Sequence, residues 1–529
     1  MDITRRFGRR IVGSSPAGCA KKMDTSKKII LKIPKEVSHI INTLENKGFK
    51  AYLVGGCVRD LLMDREPKDW DITTDAKPDQ IIELFKKIVY ENAFGTVAVI
   101  NEGVSCETLR QIEVTPYRIE AKYSDFRHPD EVKFSDNLED DLKRRDFTIN
   151  AMAYRNEQIT DIFGGLKDIK DKILKAVGDP DDRFKEDSLR MLRAVRIALQ
   201  LGFSVSYESS ESILKNSGLI KKISSERIRD ELSKIIMSSN PSVGIVMLQK
   251  FGLLKNIIPE LEEGIGCEQA GEHIYSVWEH LLHALQHSAE KGWPLEVRLA
   301  ALFHDIGKPK SRRSLETDGN ALRRSHTILE GKGKKKYTFY GHEVISAGMA
   351  KKIMERLKFS RKEIDLVEKL VRNHMFFSDT ELITLSAVRR IVTKVGVENI
   401  WLLMNVRECD RVGMKKKETP YRLRKYFAMI EEALHSPISV GQLKIDGEFM
   451  IKKLDIKPGP RMGWILHALL EEVLDDPTKN TEEHLSELVK SLNLLPDGAL
   501  KVLGDRGKEK KGELEEQEIE KLHSKHGVK

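Results

Sequence analysis

The sequence predicts an α+β chain in which a small mixed β-sheet comes first and a mostly α-helical remainder follows. Three observations support this expectation. Short β-rich runs alternate with helices from residue 29 to 165, an apolar face of helical period begins near residue 187, and helical spacing continues to about residue 495. A chain of 529 residues is too long for one ordinary core, so about three or four domains are expected.

The first predicted strand leads into a glycine turn. Residues 52–54 form a short apolar run, Gly55 and Gly56 let the backbone turn tightly beside a ligand, and a helix is expected from Val58 to Met63. Unpaired N–H groups at the start of a helix bind phosphate, and Arg59 adds a fixed positive charge. The pattern predicts a phosphate-binding turn.

Two carboxylates follow on the next predicted strand. In an extended segment, residues two apart face the same side, so Asp69 and Asp71 should project together while Trp70 and Ile72 face the core. Paired carboxylates that leave room for water and substrate phosphates suit Mg²⁺. A D-x-D triplet also occurs in ordinary acidic loops, but its position after the glycine turn favours a metal site.

Two later segments, residues 96–101 and 111–117, are predicted strands, and the second should run antiparallel in the sheet that carries the carboxylates. Glu113 is a polar residue within the second segment. It either holds metal or takes a proton from a hydroxyl group, or it is a solvent-facing strand residue. The charged segment 123–136 is expected to be a mobile loop.

A helix is predicted from Asp187 to Phe203, with apolar residues on one face and charged residues on the other. Asp187 and Arg190 are three apart, so they should be neighbours on the helix surface. A carboxylate and a guanidinium together could recognise the edges of C and A without a nucleic acid template. The alternative is an ordinary surface salt bridge.

Four motifs occur in a fixed order along the chain: residues 55–60 (GGCVRD), 69–71 (DWD), 144–153 (RRDFTINAMA) and 186–196 (EDSLRMLRAVR). Together they resemble the class II CCA-adding tRNA nucleotidyltransferases and bacterial poly(A) polymerases. The resemblance implies a nucleotidyltransferase head at residues 29–165, followed by a helical neck at 166–265 that binds RNA and nucleotide.

The resemblance also implies roles for individual residues. Asp69, Asp71 and Glu113 would be catalytic, with Mg²⁺ held by Asp69 and Asp71. The residues implied to bind nucleotide are Gly55, Gly56, Arg59, Arg145, Asp146, Asn150, Asp187, Arg190, Arg193 and Arg196.

A second group of metal-ligating residue types begins near residue 270, and its spacing looks like that of an HD phosphohydrolase domain at residues 266–415. His280, His304, Asp305 and Asp410 would hold a divalent ion such as Mg²⁺, Mn²⁺, Ni²⁺ or Co²⁺, which could activate a water molecule. His342 and His374 would bind the substrate or a second metal. The enlarged segment 310–338 leaves the substrate of such a site open.

The remaining segments are predicted mainly from composition. Residues 416–498 are helical by spacing and resemble the tRNA-binding tail of HD-bearing CCA enzymes, whereas 499–529 should form a flexible charged terminus. Residues 1–28 are expected to be a flexible basic segment, with an organelle-targeting peptide as the alternative. The net charge of +8 permits nucleic acid binding without establishing it.

Two further properties bear on location. No stretch of 18 apolar residues occurs, so no membrane span and no membrane partner are expected. The five cysteines are scattered without a C-x-x-C pair, which fits a reducing cytoplasm and argues against a zinc knuckle.

The predicted function is addition of CCA to the 3′ end of tRNA from CTP and ATP, with release of pyrophosphate and no obligatory protein partner evident. One alternative is a poly(A) polymerase or A-adding tRNA nucleotidyltransferase with the same chemistry. Another is an HD metal-dependent phosphohydrolase whose amino-terminal half only binds RNA. The paired carboxylates speak against the last alternative, because a binding module does not need them.

Overall fold

The computed structural model describes residues 12–13, 29–91, 95–121, 131–269, 274–314, 337–375, 384–412, 420–434 and 440–527. Most of the predicted loop 123–136, most of the segment 310–338 and all but two residues of the segment 1–28 lie outside these ranges. The chain divides into two compact units, Met1–His374 with Met404–Lys415, and Met375–Leu403 with Lys416–Lys529.

The strands belong to the first unit. They are β1 (Val12–Gly13), β2 (Ala51–Val54), β3 (Asp71–Thr74), β4 (Ile88–Glu91), β5 (Thr96–Ile100), β6 (Gln111–Pro116), β7 (Arg118–Ala121), β8 (Glu131–Phe134), β9 (Met152–Arg155), β10 (Gln158–Asp161), β11 (Ile173–Leu174), β12 (Ser204–Ser206), β13 (Arg313–Ser314) and β14 (Tyr337–Thr338). Seven of them form one sheet in the order β10-β9-β2-β3-β6-β5-β4.

Helices make up most of the rest of the described chain. In the head and neck they are α1 (Lys35–Asn46), α2 (Gly56–Leu62), α3 (Pro78–Leu84), α4 (Glu107–Arg110), α5 (Leu138–Lys143), α6 (Gly165–Asp171), α7 (Pro180–Glu186), α8 (Leu189–Leu201), α9 (Tyr207–Asn216), α10 (Ser225–Ile236), α11 (Pro241–Lys250), α12 (Leu254–Ile257) and α13 (Pro259–Glu262). The predicted α+β class, with a mixed sheet before a helical remainder, is confirmed.

The later helices are α14 (Val277–Glu290), α15 (Leu295–Phe303), α16 (Lys308–Ser311), α17 (His342–Arg356), α18 (Arg361–Asn373), α19 (Leu385–Val395), α20 (Ile400–Asp410), α21 (Pro420–Leu434), α22 (Gly447–Leu454), α23 (Pro460–Asp475), α24 (Glu482–Asn493) and α25 (Asp497–His526). Short 3₁₀ turns occur at Thr148–Asn150, Ser217–Lys222, Val440–Gln442 and Pro477–Lys479. No described helix is long and apolar enough to cross a bilayer.

The register of the seven-stranded sheet places the acidic residues. Strand β3 is antiparallel to β2 and parallel to β6, so Asp71 lies opposite Val54 on one side and Glu113 on the other. The expectation for β6 was therefore only half right. It is antiparallel to β5 but parallel to β3, the strand that carries Asp71.

The core of the head lies between the sheet and its helices. Val37, Ile40 and Leu44 recur at helical spacing on α1 and are fully buried, in the same cluster as Ile72 and Val114 of the sheet. Burial of these side chains fixes the register of β3, because a shift by one residue would turn Ile72 outward and Asp71 inward. The hydrophobic pattern therefore determines which way the carboxylate points.

The carboxyl-terminal residues differ from the flexible terminus predicted from residue 499. They continue α25, a helix of 30 residues that packs on α23 within the second unit. A Cβ atom at Gly504 would lie 2.8 Å from Cα of Trp464, and one at Gly507 would lie 2.2 Å from the carbonyl oxygen of His467. These glycines let the two helices approach closely, which a judgement based on charge content could not anticipate.

Candidate active site and metal centre

A cavity of about 780 Å³ lies beside the glycine turn and the start of β3. Its lining includes the predicted residues Gly55, Gly56, Arg59, Asp69, Asp71, Arg145, Asp146, Asn150, Arg193 and Arg196. Its further lining residues are Asp60, Arg65, Glu66, Lys68, Ile197, Gln200, Leu201, Lys234, Met237, Ser238 and Ser239. Three predicted site residues, Glu113, Asp187 and Arg190, are not part of its wall.

The glycine turn brings the backbone against charged side chains. Gly55 has a φ of 86°, a value that favours glycine, and α2 begins at the next residue, two residues earlier than expected. A Cβ atom at Gly55 would lie 2.9 Å from Oδ2 of Asp71 and 3.1 Å from Nη1 of Arg145. Only glycine therefore leaves room for the carboxylate and the guanidinium at this turn.

The two carboxylates lie on the cavity wall, but they do not share a strand. Asp71 is the first residue of β3, whereas Asp69 is exposed in the bend before it. Trp70 and Ile72 are buried, as predicted. Burial, together with the negative charges of Asp69 and Glu113, raises the pKa of Asp71 to about 6, against the opposing effect of Arg145. Clustered oxygen ligands with unfavourable mutual repulsion fit a divalent cation.

The orientation of Arg145 depends on Asp141, a residue that the sequence reasoning missed. Asp141 is fully buried on α5 and accepts hydrogen bonds from Nη2 of Arg144 at 2.6 Å and Nη2 of Arg145 at 3.2 Å. Burial alone would raise the pKa of Asp141, but the two guanidinium groups hold it below its ordinary value. Its position three and four residues before the two arginines was the available signal.

Replacing Asp141 with Asn should raise the KM for CTP by about tenfold, because a charge-assisted hydrogen bond that orients Arg145 is weakened. Steady-state kinetics at saturating RNA primer measure the effect. Glu139→Gln is the matched control, since Glu139 is an exposed acid on the same helix. Equal KM values for the two variants would contradict the positioning role of Asp141.

A chain of hydrogen bonds connects α2 with α8 across the cavity wall. Nη1 of Arg59 donates to Oδ1 of Asn150 at 2.7 Å, and Nδ2 of Asn150 donates to Oδ1 of Asp146 at 3.1 Å. Asp146 also accepts from Nε and Nη2 of Arg193 at 2.9 and 2.6 Å. Burial opposes ionisation of Asp146, but Arg193 lowers its pKa to about 2. The network holds two predicted nucleotide-binding cations in fixed positions.

The predicted pairing of Asp187 with Arg190 is wrong at the level of side chains. Asp187 has an extended backbone before α8, and its carboxylate accepts from Arg227 of α10 at 2.7 Å. Arg190 is buried and donates to Glu186 at 2.8 Å. The i,i+3 rule applies within a helix, and α8 begins only at Leu189. Arg227 is therefore a partner that the local pattern could not reveal.

The second group of predicted ligands comes together in the helices after the neck. Nε2 of His280 and Nε2 of His304 lie 3.0 Å apart, and each is 3.4 Å from Oδ2 of Asp305. Oδ1 of Asp410 lies 3.7 Å from the first and 3.5 Å from the second of these nitrogens. All four residues are buried, so one divalent ion could be held by four ligands from three separate segments of the chain.

Asp305 also faces the remaining two histidines. Its Oδ1 atom lies 3.2 Å from Nε2 of His342 and 3.7 Å from Nε2 of His374. These three residues form a second buried group, so Asp305 belongs to both. Lys308 lies beside the cluster, with its Nζ atom 2.5 Å from Oδ2 of Asp305.

The four imidazoles are oriented in the way that metal ligation requires. Each places Nδ1 between 2.6 and 3.1 Å from a backbone carbonyl oxygen; these oxygens belong to Val412, Ala301, Phe339 and Val371. A carbonyl can only accept, so Nδ1 carries the proton and Nε2 presents its lone pair towards the centre of the cluster, where a cation could bind. Burial lowers the pKa of His280 and His374, which favours their neutral forms.

Two observations show that the residues fit a divalent ion. The buried Nε2 atoms of His342 and His374 have no hydrogen-bond partner among the described residues. Burial would raise the pKa of Asp305, but Lys308 and the histidines hold it well below its ordinary value. The carboxylate is therefore ionised beside the neutral imidazoles of His280 and His374, and carboxylate and imidazole together suit transition metals.

A curated CCA-adding enzyme from Ligilactobacillus salivarius (strain UCC118) is 32% identical to this chain over 482 residues, which cover 88% of the chain and 98% of the relative. The chain belongs to the CCA-adding enzyme family. Three segments of the chain match models of known domain families. Residues 51–175 match the Poly A polymerase head domain, 202–265 the "Probable RNA and SrmB- binding site of polymerase A", and 271–419 the HD domain.

Other CCA-adding enzymes match over a shorter part. The enzyme from Lactobacillus helveticus (strain DPC 4571) is 50% identical over 198 residues, 37% of this chain and 48% of the relative. Against this and similar relatives, the chain spans about half of their length. The structure of the Bacillus stearothermophilus CCA-adding enzyme in complex with CTP is 25% identical with a TM-score of 0.53, covering 87% of this chain and 98% of that chain.

Proposed function

We propose that this protein adds CCA to the 3′ end of tRNA, using CTP and ATP and releasing pyrophosphate. The observation that carries the proposal is one cavity that joins the carboxylates Asp69 and Asp71 to the glycine turn at Gly55 and to a wall of arginines. A related enzyme from Bacillus stearothermophilus was solved with CTP, which supports CTP as a substrate here.

In this reaction the 3′ oxygen of the primer forms a bond to the α-phosphorus of the nucleotide, and the bond from that phosphorus to the β-phosphate oxygen breaks. Bound Mg²⁺, held by Asp69 and Asp71, would neutralise phosphate charge and favour the ionised hydroxyl. Glu113 lies beside Asp71 in the sheet. We propose that it either accepts the proton of the primer hydroxyl group or helps to hold the metal. Arg59 and Arg145 would hold the triphosphate.

We assign selection of C and A to Asp187 and Arg190 on the basis of the family motif. Neither residue lines the cavity, and their side chains bind Arg227 and Glu186, so both would have to exchange these partners for a base edge when the nucleotide enters. Such an exchange makes selection depend on the competition between an ion pair and a base. Arg193 and Arg196 line the cavity and would contact the nucleotide directly.

Incorporation and pyrophosphate release together test the proposed reaction. The purified protein is incubated with Mg²⁺, a tRNA transcript that lacks CCA, and labelled CTP and ATP. We expect one pyrophosphate for every nucleotide joined to the RNA. Release of inorganic phosphate without labelled RNA would instead support an HD hydrolase whose head only binds RNA.

A second function is favoured by the buried cluster around Asp305. We propose that His280, His304, Asp305 and Asp410 hold one divalent ion, Mg²⁺, Mn²⁺, Ni²⁺ or Co²⁺, and that His342 and His374 with Asp305 hold a second ion or the substrate. A bound divalent ion there would lower the pKa of a water molecule and supply a hydroxide for attack on a phosphate ester. The corresponding activity is a metal-dependent phosphohydrolase.

Two further assignments complete the proposal. The helices of the segment 416–498 would bind the outer part of tRNA, in keeping with the family resemblance. We also assign the protein to the cytoplasm, because the described cysteines are all unpaired thiols, as in a reducing compartment. Fractionation of cells followed by immunoblotting would test the location.

A further inference from the structure

One part of the cavity wall belongs to none of the family motifs. It is the turn between α10 and α11, where Met237, Ser238 and Ser239 line the cavity together with Lys234 from the last turn of α10. We call these four residues the rim. The Ser239 hydroxyl and the Lys234 ammonium extend the site beyond the residues expected to hold the nucleotide, whereas the Ser238 hydroxyl donates to the carbonyl of Ile235 at 2.7 Å.

The rim is held from behind by a buried arginine of the HD body. Arg298 on α15 is 5% exposed, and its Nη1 atom donates to the carbonyl oxygens of Ile236 at 3.0 Å and Ser238 at 2.9 Å. Its Nε atom donates to the carbonyl of Trp293 at 2.8 Å. Ile236 is the last residue of α10, so the guanidinium lies at the negative end of that helix.

Burial of the Arg298 guanidinium costs free energy, because the charged group loses its contact with water. Burial lowers the pKa of Arg298, and no carboxylate among the described residues forms an ion pair with it. The acceptors for this guanidinium are backbone carbonyls. Those of Ile236 and Ser238 belong to the end of α10 and the rim, and that of Trp293 lies just before α15. Arg298 can hold this turn in one conformation because its donors form a rigid fork.

A second side chain from the HD body supports the same turn. Nε2 of Gln286 on α14 donates to the carbonyl of Ser239 at 3.1 Å, and its Oε1 atom accepts from Ser242 at 3.0 Å. Two successive helices of the body therefore hold successive carbonyls of the rim. Both helices belong to the same compact unit as the cavity.

On the cavity side, Lys234 of the rim and the neighbouring Arg196 of α8 share the carboxylate of Glu231. This residue is 4% exposed and accepts from Nε of Arg196 at 2.6 Å and from Nζ of Lys234 at 3.4 Å. These two cations beside the Ser239 hydroxyl form a surface that suits phosphodiester groups, which accept hydrogen bonds but carry no base information. A nucleic acid backbone is the ligand that this chemistry fits.

We propose that Arg298 is a positioning residue for the RNA primer: from the HD body it holds the rim so that Lys234 and Ser239 meet primer phosphates in the nucleotidyl-transfer cavity. This inference rests on the proposed function. It gives the HD body a role in primer binding that needs no metal, and it separates binding of the primer from binding of the nucleotide.

Arg298→Met keeps the bulk of the side chain but removes its donors. We expect the KM for tRNA to rise by about tenfold. This corresponds to a loss of about 1.4 kcal/mol of binding free energy, which one charge-assisted contact can provide. The KM for CTP should stay within about twofold of the wild-type value. Arg298→Lys should recover part of the loss, because an ammonium keeps the charge without the fork. Thermal unfolding verifies that each variant is folded.

Arg356→Met is the matched control. Arg356, on α17, donates to Glu260 at 2.8 Å and to the carbonyl of Ile257 at 3.1 Å, so it also connects the body to the neck, but away from the cavity. We expect it to leave both KM values unchanged. If Arg298→Met matches this control, or raises the KM for CTP as much as that for tRNA, the positioning role is overturned.

Lys234→Ala tests the rim itself, since it changes a partly exposed side chain and should not affect folding. Direct binding of tRNA is measured at several salt concentrations by fluorescence anisotropy. The slope of log Kd against log salt should fall in magnitude by about 0.7 for one lost phosphate contact. An unchanged slope would overturn the inference. If the wild-type protein binds tRNA with a larger salt slope than Lys234→Ala but incorporates no nucleotide, the proposed function is rejected and the inference about the rim is not.

Discussion

Replacing Asp71 with Ala should lower kcat/KM for nucleotide incorporation by at least about 10³-fold, with binding of tRNA retained. Asp71 begins β3 on the cavity wall, against the glycine turn and within electrostatic range of Asp69. Under the proposed function, its loss removes one of the two carboxylates that would hold Mg²⁺ at the reacting phosphate. Asp69→Ala should have an effect of the same order, because Asp69 lines the same cavity.

The control for both variants is Asp79→Ala, which removes an exposed acid at the start of α3. Incorporation is measured with labelled CTP, and tRNA binding by anisotropy with the same preparations. Retained binding with lost incorporation supports a catalytic role. Unchanged incorporation in Asp71→Ala would reject the assignment of the site, and loss of both properties in a folded variant would point to a structural role.

Replacing Asp305 with Ala should weaken binding of a divalent metal by the HD body by at least about 100-fold. Asp305 lies within 3.4 Å of two imidazole nitrogens through Oδ2 and within 3.7 Å of two others through Oδ1. One substitution therefore removes a ligand from both groups. Calorimetric titration with Mn²⁺, in an Asp71→Ala background to exclude the head site, measures the loss.

His374→Ala separates the two groups, since His374 belongs only to the one that contains His342. We expect it to leave one Mn²⁺ site intact and to weaken the other. Nucleotide incorporation by Asp305→Ala with Asp71 intact should stay within about twofold of the wild type, because the cavity wall contains no residue of the cluster. Metal binding that is unaffected by Asp305→Ala would contradict the proposed centre, and a collapse of incorporation in a folded variant would show that the two sites are coupled.

The parts of the site that the sequence predicted are those determined by local pattern. The turn at Gly55, the buried Trp70 and Ile72 around Asp71, and the spaced histidines all follow from residue types at short or fixed intervals. Their geometry depends on strand alternation and backbone freedom, which act over a few residues. The order of the four family motifs along the chain then indicated that the glycine turn, the carboxylates and the arginines belong to one site.

The parts that were missed depend on contacts between distant segments. Asp187 binds Arg227, 40 residues further along, because the extended backbone before α8 turns its carboxylate towards α10. Arg298 is one of two charged residues in a mostly apolar helix, and its acceptors are backbone carbonyls, which the sequence does not identify. Neither partnership could be derived from helical periodicity.

Prediction from composition was the least successful approach. The segment after residue 499 is rich in lysine and glutamate, which suggested a flexible terminus, yet Gly504 and Gly507 allow α25 to pack closely on α23. At these two positions, the lack of a Cβ atom lets the backbones of the two helices come into contact. A measure of charge or hydropathy does not register that effect.

The most direct test of the central claim is the sequence of the RNA 3′ ends that the protein produces. Transcripts of tRNA that end before, within and after CCA are incubated with Mg²⁺ and with CTP, ATP or both, and the products are sequenced. We expect every incomplete end to be extended to CCA and no further when both nucleotides are present. Long A tracts, addition of A alone or of C alone, or no addition at all would contradict it.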